Sequence, residues 1–315
     1  MKNNLAIHDL HGEQDLLPQY DLAFFSLGYE TRCTAAALYL SNIRRLDISK
    51  CFIFSFEEND LSFINKRKNY DNLFPKCVYK YLSPDEDQDI YQILQEGTKE
   101  LDKVSILIDY SSMSRIWYTA IINWAIVFSE NKEISIDFIY TLGDYKTNDN
   151  SMVIQGISAI PGCEGSSPRQ SESVAIFGLG FHGYTALCVL DQLEPDIIYA
   201  LLACPAEDDA YVKMSYENNS DLLSKAQKQI KLPLNSVENI YRYLSEIVAS
   251  ELARHREVTL IPMGPKTHIL SSILVALSFP EVTCLRVRHT NDSIDVIPRN
   301  NFVFTRVSFE KVQHP

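Results

Sequence analysis

Basic residues are in short supply in this sequence. The chain holds 29 lysine and arginine residues against 41 aspartate and glutamate residues, which gives a formal charge of −12 at pH 7. A protein that grips nucleic acid irrespective of its sequence needs a basic stripe to neutralise the phosphates. The charge balance therefore argues against non-specific nucleic-acid binding, while a local basic pocket stays open.

Paired cysteines and the common catalytic motifs are also missing. The seven cysteines are scattered and odd in number, and no two of them form a C-x-x-C pair. This pattern favours neither a disulfide framework nor a zinc knuckle, and it is typical of reduced thiols in the cytoplasm. The motifs H-E-x-x-H and G-x-S-x-G do not occur either, so we predict no metal site and no hydrolytic triad.

Long apolar runs are absent as well. The N-terminus, MKNNLAIHDLHGEQ, has no apolar stretch of the kind that signal peptides carry. The longest apolar run, from Ile116 to Phe128, includes Asn123 and is shorter than the roughly 20 residues that cross a bilayer. We predict a cytoplasmic protein without a membrane segment, and we interpret the apolar run as a buried helix.

What the sequence does contain is a pattern that occurs twice. AFFSLG from Ala23 leads into YETRCTAAAL, and AIFGLG from Ala175 leads into FHGYTALCVL; each is an apolar strand, a turn with glycine, and a helix of small residues. CFIFSFEEND from Cys51 is matched by IYALLACPAEDD from Ile198. Because the matches keep their order along the chain, we predict two tandem copies of one unit.

Each copy is predicted to contain five strands separated by helices. Alternation of apolar strands and helices is typical of a parallel sheet covered on both faces. The predicted fold class is therefore α/β, with two Rossmann-like units. The expected strands lie near residues 22–27, 50–56, 77–82, 104–109 and 134–141, and then near 174–179, 198–204, 229–233, 257–262 and 282–288.

The repeat also predicts the domain boundaries. Residues 1–160 are expected to form the first repeat, residues 161–173 a linker rich in Gly, Ser and Pro, and residues 174–315 the second repeat. Near the end, IDVIPRNNFVFTRVSF alternates between apolar and polar residues around RNN. This alternation predicts a C-terminal β-hairpin.

Four loops are expected to meet a ligand. In an open parallel sheet, ligands bind beyond the carboxyl ends of the strands, where helix N-termini present N–H groups. The segments at these ends are SLGYETR, DYSSMSR, GLGFHGY and PMGPKTH, and their hydroxyl, guanidinium and ammonium groups suit a phosphate or a ribose. The candidate ligand-binding residues are Gly28, Tyr29, Arg32, Ser111, Ser112, Arg115, Gly180, His182, Lys266 and His268.

Many of these residues also have a simpler structural interpretation. Glu30 and Arg32 could face solvent in a first helical turn, Ser111 or Ser112 could cap a helix, and a lone histidine is more often structural or solvated. The charged segment KRKNYD from Lys66 is interpreted as a helix end. The acidic segment SPDEDQD is interpreted as a helix start rather than a metal site.

One loop matches part of the dinucleotide-binding fingerprint. Gly178, Gly180 and Gly183 have the spacing G-x-G-x-x-G. The acidic residue expected at the end of the following strand comes late, at Glu207, so the fit is loose. A dinucleotide cofactor therefore stays open, and the sequence does not identify a cofactor.

Two Rossmann-like units with polar loops at their strand ends resemble the CARF and SAVED class, the nucleotide-sensing domains of prokaryotic antiviral defence. The resemblance covers both halves and rests on the order of elements and on the chemistry of the four loops. It implies a pair of units that face each other around one nucleotide. The chain departs from the family pattern because no nuclease or transmembrane module accompanies the pair.

Three functions stay open. The resemblance implies a protein that binds a nucleotide or a phosphorylated ligand, expected in a bacterial antiviral defence system and with another protein subunit as a partner. The alternative is an enzyme that acts on a nucleotide or nucleoside, with Glu30 or Asp109 as the acid or base and with Arg32, Arg115 and Lys266 holding phosphate. The third is a non-catalytic interaction subunit of a larger complex.

Overall fold

Apolar strands alternate with helices along the chain and form two sheets, one in each of two units. The structure is a computed structural model, and it describes residues 5–43, 47–56, 63–145, 154–166, 172–289 and 295–311. The first unit comprises residues 1–148 and 293–315, and the second comprises residues 149–292.

The described part of the first unit contains seven strands in one sheet. Its strands are β1 (Leu5–Leu10), β2 (Gln19–Leu27), β3 (Asp47–Ser55), β4 (Val78–Tyr81), β5 (Lys103–Asp109), β6 (Glu133–Tyr145) and β13 (Val296–Phe309). Its helices are α1 (Ala35–Ile43), α2 (Ile64–Leu73), α3 (Gln88–Thr98) and α4 (Arg115–Phe128), with short 3-10 helices at Glu13–Asp15 and Thr31–Thr34. The order across the sheet is β1-β13-β6-β5-β2-β3-β4. The five strands from β6 to β4 are parallel to one another.

Within the residues that the structure describes, the second unit contains six strands in a sheet of its own. Its strands are β7 (Ile154–Glu164), β8 (Ser173–Gly178), β9 (Ile197–Ala203), β10 (Lys228–Leu232), β11 (Glu257–Pro262) and β12 (Thr283–His289). Its helices are α5 (Gly183–Leu193), α6 (Asp209–Asn218), α7 (Ser220–Lys225), α8 (Val237–Ala253) and α9 (Lys266–Ser278). The order is β10-β9-β8-β11-β12-β7, with only β7 antiparallel to its neighbour.

The predicted α/β class is confirmed, and all ten predicted strands occur close to their expected positions. When the five parallel strands of each sheet are numbered in chain order, both sheets have the spatial order 3-2-1-4-5. In both sheets, an antiparallel strand lies beside the fifth parallel strand. Duplication of the sequence itself stays a prediction, and the shared strand order agrees with it.

Buried apolar side chains explain why these segments form strands and helices. Strands β2 and β5 are buried along most of their length, as expected for parallel strands covered on both faces. On α3, Ile90, Ile93 and Leu94 recur at three- and four-residue intervals and are buried. The apolar run that forms α4 is a buried helix, as predicted. Among the described residues, no helix is long and apolar enough to cross a membrane.

The predicted C-terminal hairpin is wrong. Residues 296–309 form the single strand β13, which lies between β1 and β6 and pairs antiparallel with both. The RNN segment marks an irregularity in the pairing between Pro298 and Phe302, where we had expected a turn. Alternation along the strand buries Val303, Val307 and Phe309. These residues therefore complete the first sheet, whereas the sequence placed them in the second repeat.

A buried ion pair fixes β13 in the first sheet. The Arg306 guanidinium binds both oxygens of Asp137 on β6, at 2.7 and 2.8 Å, and Asp137 has no exposed surface. The Tyr20 hydroxyl donates to the same carboxylate at 2.6 Å. Burial and the neighbouring Asp137 raise the pKa of Tyr20, so this hydroxyl stays protonated as a donor.

The segment expected as a linker is only partly irregular. Strand β7 extends to Glu164, inside the predicted linker 161–173, and pairs with β12 of the second sheet. Residues 167–171 of that prediction lie outside the described residues. Strand β1 has no counterpart among the predicted strands.

Candidate functional site

The first sheet has a topological switch point between β2 and β5. From β2 the chain passes through α1 to β3 on one side, and from β5 it passes through α4 to β6 on the other. A crevice forms where the connections leave in opposite directions, and ligands of such sheets bind there. The loops after β2 and β5 contain the predicted segments SLGYETR and DYSSMSR.

Glu30 and Ser112 connect these two loops. The Ser112 hydroxyl donates to Glu30 Oε2 at 2.7 Å. The same carboxylate accepts from Arg32, Nε to Oε2 at 2.8 Å and Nη2 to Oε1 at 3.2 Å. Three of the residues singled out from the sequence thus form one hydrogen-bonded network.

Arg32 is embedded in this network. Its exposed fraction is 5%, and Nη1 donates to the Tyr140 hydroxyl and to the Thr141 carbonyl, both at 3.2 Å. Burial alone lowers the pKa of Arg32, but Tyr140 and Glu30 raise it above its ordinary value. The guanidinium therefore stays charged and holds the Glu30 side chain in a fixed orientation.

Asp109 and Ser111 form a second, deeper contact. Both residues are buried, and the Ser111 hydroxyl donates to Asp109 Oδ1 at 2.5 Å while accepting from the Thr141 amide at 2.7 Å. This arrangement fixes the end of β5 against β6. The simpler interpretation of Ser111 or Ser112 as a helix cap is wrong, because the cap of α4 is Ser114, which accepts from the Ile116 amide at 3.3 Å.

The remaining candidates of the first unit lie in these two loops or directly after them. Tyr29 is 49% exposed, and Arg115 is the first residue of α4 and half-buried. Gly28 directly follows β2, as predicted.

Several contacts of this site were missed by sequence reasoning. The Lys66 ammonium binds the carbonyl oxygens of the loop after β2, although its segment was interpreted only as a helix end. Tyr140 and Thr141 lie on β6, within a predicted strand, but were not singled out as site residues. Asp295, just before β13, accepts from the Thr31 amide at 2.6 Å. No local motif marks any of these four residues, because each is brought in by the sheet order.

In the second unit, the equivalent switch point lies between β8 and β11, and its two loops touch through their backbones. A Cβ on Gly180 would lie 2.7 Å from the Met263 carbonyl oxygen, and one on Gly264 would lie 2.7 Å from the Leu179 carbonyl oxygen. A Cβ on Gly183 would lie 1.7 Å from the Asn218 carbonyl oxygen. The fingerprint-like glycines thus allow close packing of the chain within the protein.

The three polar candidates of the second unit occupy different environments. His182 precedes α5, and burial lowers its pKa. Lys266 is the first residue of α9 and half-buried. His268, two residues later, has no exposed surface; its Nε2 lies 3.2 Å from the Pro233 carbonyl oxygen, and burial lowers its pKa to about 4.

A basic residue begins the corresponding helix in each of the two units. In the structure Arg115 begins α4 and Lys266 begins α9, and each of these helices follows the fourth parallel strand of its own sheet. Each unit therefore presents a cation at a helix N-terminus beside its switch point.

No cluster of three or more His, Cys, Asp or Glu side chains suited to a metal ion occurs among the residues that the structure describes.

No protein-family model and no curated protein matches this sequence. Among solved structures, the chain is similar to a Type III CRISPR defence DNA nuclease activated by cyclic oligoadenylate, with a TM-score of 0.50 and 8% identity over 89% of this chain and 68% of that one. A universal stress protein from Archaeoglobus fulgidus DSM 4304 also matches at 8% identity, over 87% of this chain and 99% of that one. Its TM-score of 0.24 is too low to support a shared fold. The likeness to the nuclease supports the fold alone.

Proposed function

We propose that this chain binds a nucleotide-type ligand at the carboxyl edges of its sheets. The observation that carries the proposal is the cation at the first position of α4 and of α9, Arg115 and Lys266, each beside a topological switch point. A helix N-terminus attracts anions because its first N–H groups lack partners within the helix and its dipole is positive there. Arg115 and Lys266 are thus the expected phosphate contacts.

The polar network of the first unit suits the sugar of such a ligand. Ser112 is half-buried and lies at the junction of both loops, and Glu30 beside it is held in place by Arg32. A fixed carboxylate and a hydroxyl can accept from and donate to ribose hydroxyls. The exposed Tyr29 offers a ring on which a base can stack.

Binding without turnover is favoured over catalysis. Asp109 is buried and accepts from Ser111, and Glu30 is paired with Arg32 at 2.8 Å. A general acid or base must exchange protons with a substrate near neutral pH, which a carboxylate held by a guanidinium does poorly. We therefore favour a sensor, which binds the nucleotide without converting it, over an enzyme.

The nuclease with the similar fold suggests where to look for the ligand. Since it is activated by cyclic oligoadenylate, cyclic oligoadenylates are the first ligands to try. A cytoplasmic component of a bacterial antiviral defence system, acting with another protein subunit, is the corresponding biological role.

A thermal-shift screen of the purified protein tests the proposal. Cyclic oligoadenylates, linear oligoadenylates, mononucleotides and dinucleotides are each added, and the nucleotide is recovered and analysed by chromatography. Stabilisation with unchanged nucleotide supports the sensor. Conversion by the wild-type protein that is lost in folded Glu30→Ala or folded Asp109→Ala establishes the enzyme instead. If none of these nucleotides stabilises the protein and none is converted, both the sensor and the enzyme are contradicted, and the interaction subunit is left.

A further inference from the structure

Lys66 makes an unusual set of contacts with the loop that follows β2. Its ammonium nitrogen donates to three successive carbonyl oxygens, those of Gly28 at 2.9 Å, Tyr29 at 2.6 Å and Glu30 at 3.2 Å. A lysine ammonium has three N–H donors, so all of them are used on this one loop. Lys66 belongs to α2, which is remote from Glu30 along the chain.

These contacts determine which way the loop faces. In a trans peptide the C=O and N–H groups point in opposite directions, and the peptide bonds of this loop are trans. With its carbonyls turned to Lys66, the loop turns the amides of residues 29–31 the other way. The Thr31 amide shows the result, because it donates to the Asp295 carboxylate at 2.6 Å.

A cation stabilises the carbonyl side of the loop. Three carbonyl oxygens that converge on one point repel one another electrostatically, although the Cys33 amide also donates to the Glu30 carbonyl oxygen at 3.2 Å. The Lys66 ammonium supplies a shared donor with a full charge, and charge-assisted hydrogen bonds of this kind are the strong ones. It also lies 5.3 Å from the centre of the Phe63 ring, which further restricts the side chain.

We propose that Lys66 is a positioning residue for the ligand site of the first unit. By holding the carbonyls of residues 28–30, it fixes the backbone of the loop that carries Tyr29, Glu30 and Arg32. The inference rests on the proposed function, since it assigns to Lys66 the pre-organisation of the site that binds the nucleotide. Lys66 itself does not contact the ligand.

The test compares Lys66→Met with Lys68→Met, an exposed lysine on the same helix, in the full-length chain. The probe is the nucleotide that stabilises the wild-type protein most in the thermal-shift screen. Loss of a pre-organised site typically costs about 10-fold to 100-fold in affinity. Lys66→Met is therefore expected to raise the dissociation constant by at least about 10-fold. Lys68→Met is expected to bind as the wild type does.

Amide hydrogen exchange without nucleotide provides the second readout. Lys66→Met is expected to accelerate exchange in a peptide covering residues 27–34, with exchange in β5 and β6 unchanged. Should Lys66→Met fold poorly, Lys66→Arg keeps the positive charge and part of the donor set, and is expected to retain more affinity than Lys66→Met.

The outcomes separate the two proposals. Wild-type affinity in Lys66→Met, or an equal loss in Lys68→Met, overturns the role of Lys66 and leaves the proposed function intact. The role is also overturned if Lys66→Met loses affinity without faster exchange in residues 27–34. If the wild-type protein binds none of the nucleotides, the proposed function fails and the role of Lys66 fails with it.

Discussion

Ser112 donates a hydrogen bond to Glu30 at 2.7 Å and thereby joins the loops on the two sides of the first switch point. Glu30 in turn holds Arg32, which is almost fully buried. The network therefore contributes to the stability of the first unit as well as to its candidate site, and the two contributions can be measured separately.

Removal of Glu30 should be costly. Glu30→Ala leaves the buried Arg32 guanidinium without its carboxylate, and breaking a buried ion pair from one side typically costs about 3–5 kcal/mol. Urea denaturation should show this loss in the free energy of unfolding. The control is Glu133→Ala, which breaks an exposed pair with Lys103 and should cost less than about 1 kcal/mol. Equal losses in the two variants would contradict the buried network.

Strand β13 should be required by the first unit rather than the second. Arg306→Met removes the two hydrogen bonds that the guanidinium donates to the fully buried Asp137 and leaves that carboxylate without a cation, and a buried charge that has lost its counter-charge is strongly destabilising. Hydrogen exchange should accelerate in β1, β6 and β13 of the first sheet while β8 and β11 keep their protection. Faster exchange confined to the second unit would support the hairpin that the sequence predicted.

Stability should fall in mild acid because of His268. Its folded-state pKa is about 4, below the ordinary value of about 6.5, so between these values the unfolded chain binds a proton that the native protein does not. The free energy of unfolding then falls as the pH drops from about 6.5 to about 4, by up to about 3 kcal/mol.

Denaturation curves recorded between pH 4.5 and pH 7 check this dependence. His268→Gln should reduce the pH dependence, whereas His255→Asn, at an exposed position with positive φ that asparagine tolerates, should retain it. An unchanged slope in His268→Gln would show that other groups control the acid sensitivity.

The glycines of the two units should respond differently to alanine. A Cβ on Gly180 would meet a backbone oxygen at 2.7 Å, whereas a Cβ on Gly28 would meet only the Phe56 ring at 3.4 Å. Gly180→Ala should therefore lower the melting temperature by several degrees, since overpacking typically costs about 1–3 kcal/mol. Gly28→Ala should leave it nearly unchanged. The reverse ranking would contradict the close backbone contact between the loops of the second unit.

The sequence predicted the parallel strands well because their apolar runs are local signals. It failed for β13 because alternation cannot distinguish a hairpin from a single strand with an irregularity at Arg299–Asn301, and because the partner, β6, is remote in sequence. The same limit applied at the candidate site. Glu30, Arg32 and Ser112 lie in loops that strand order makes predictable, whereas Lys66 and Asp295 act from α2 and from the segment before β13.

Calorimetric titration of Arg115→Ala and Lys266→Ala with a stabilising nucleotide tests the central claim most directly. The control is Lys103→Ala, which removes an exposed charge at the opposite end of β5. Loss of a phosphate contact is expected to cost about 1.5–3 kcal/mol, so at least one of the two variants should bind about 10-fold or more weakly, and Lys103→Ala should bind normally. Wild-type affinity in both variants would contradict phosphate binding at the helix N-termini of the switch points.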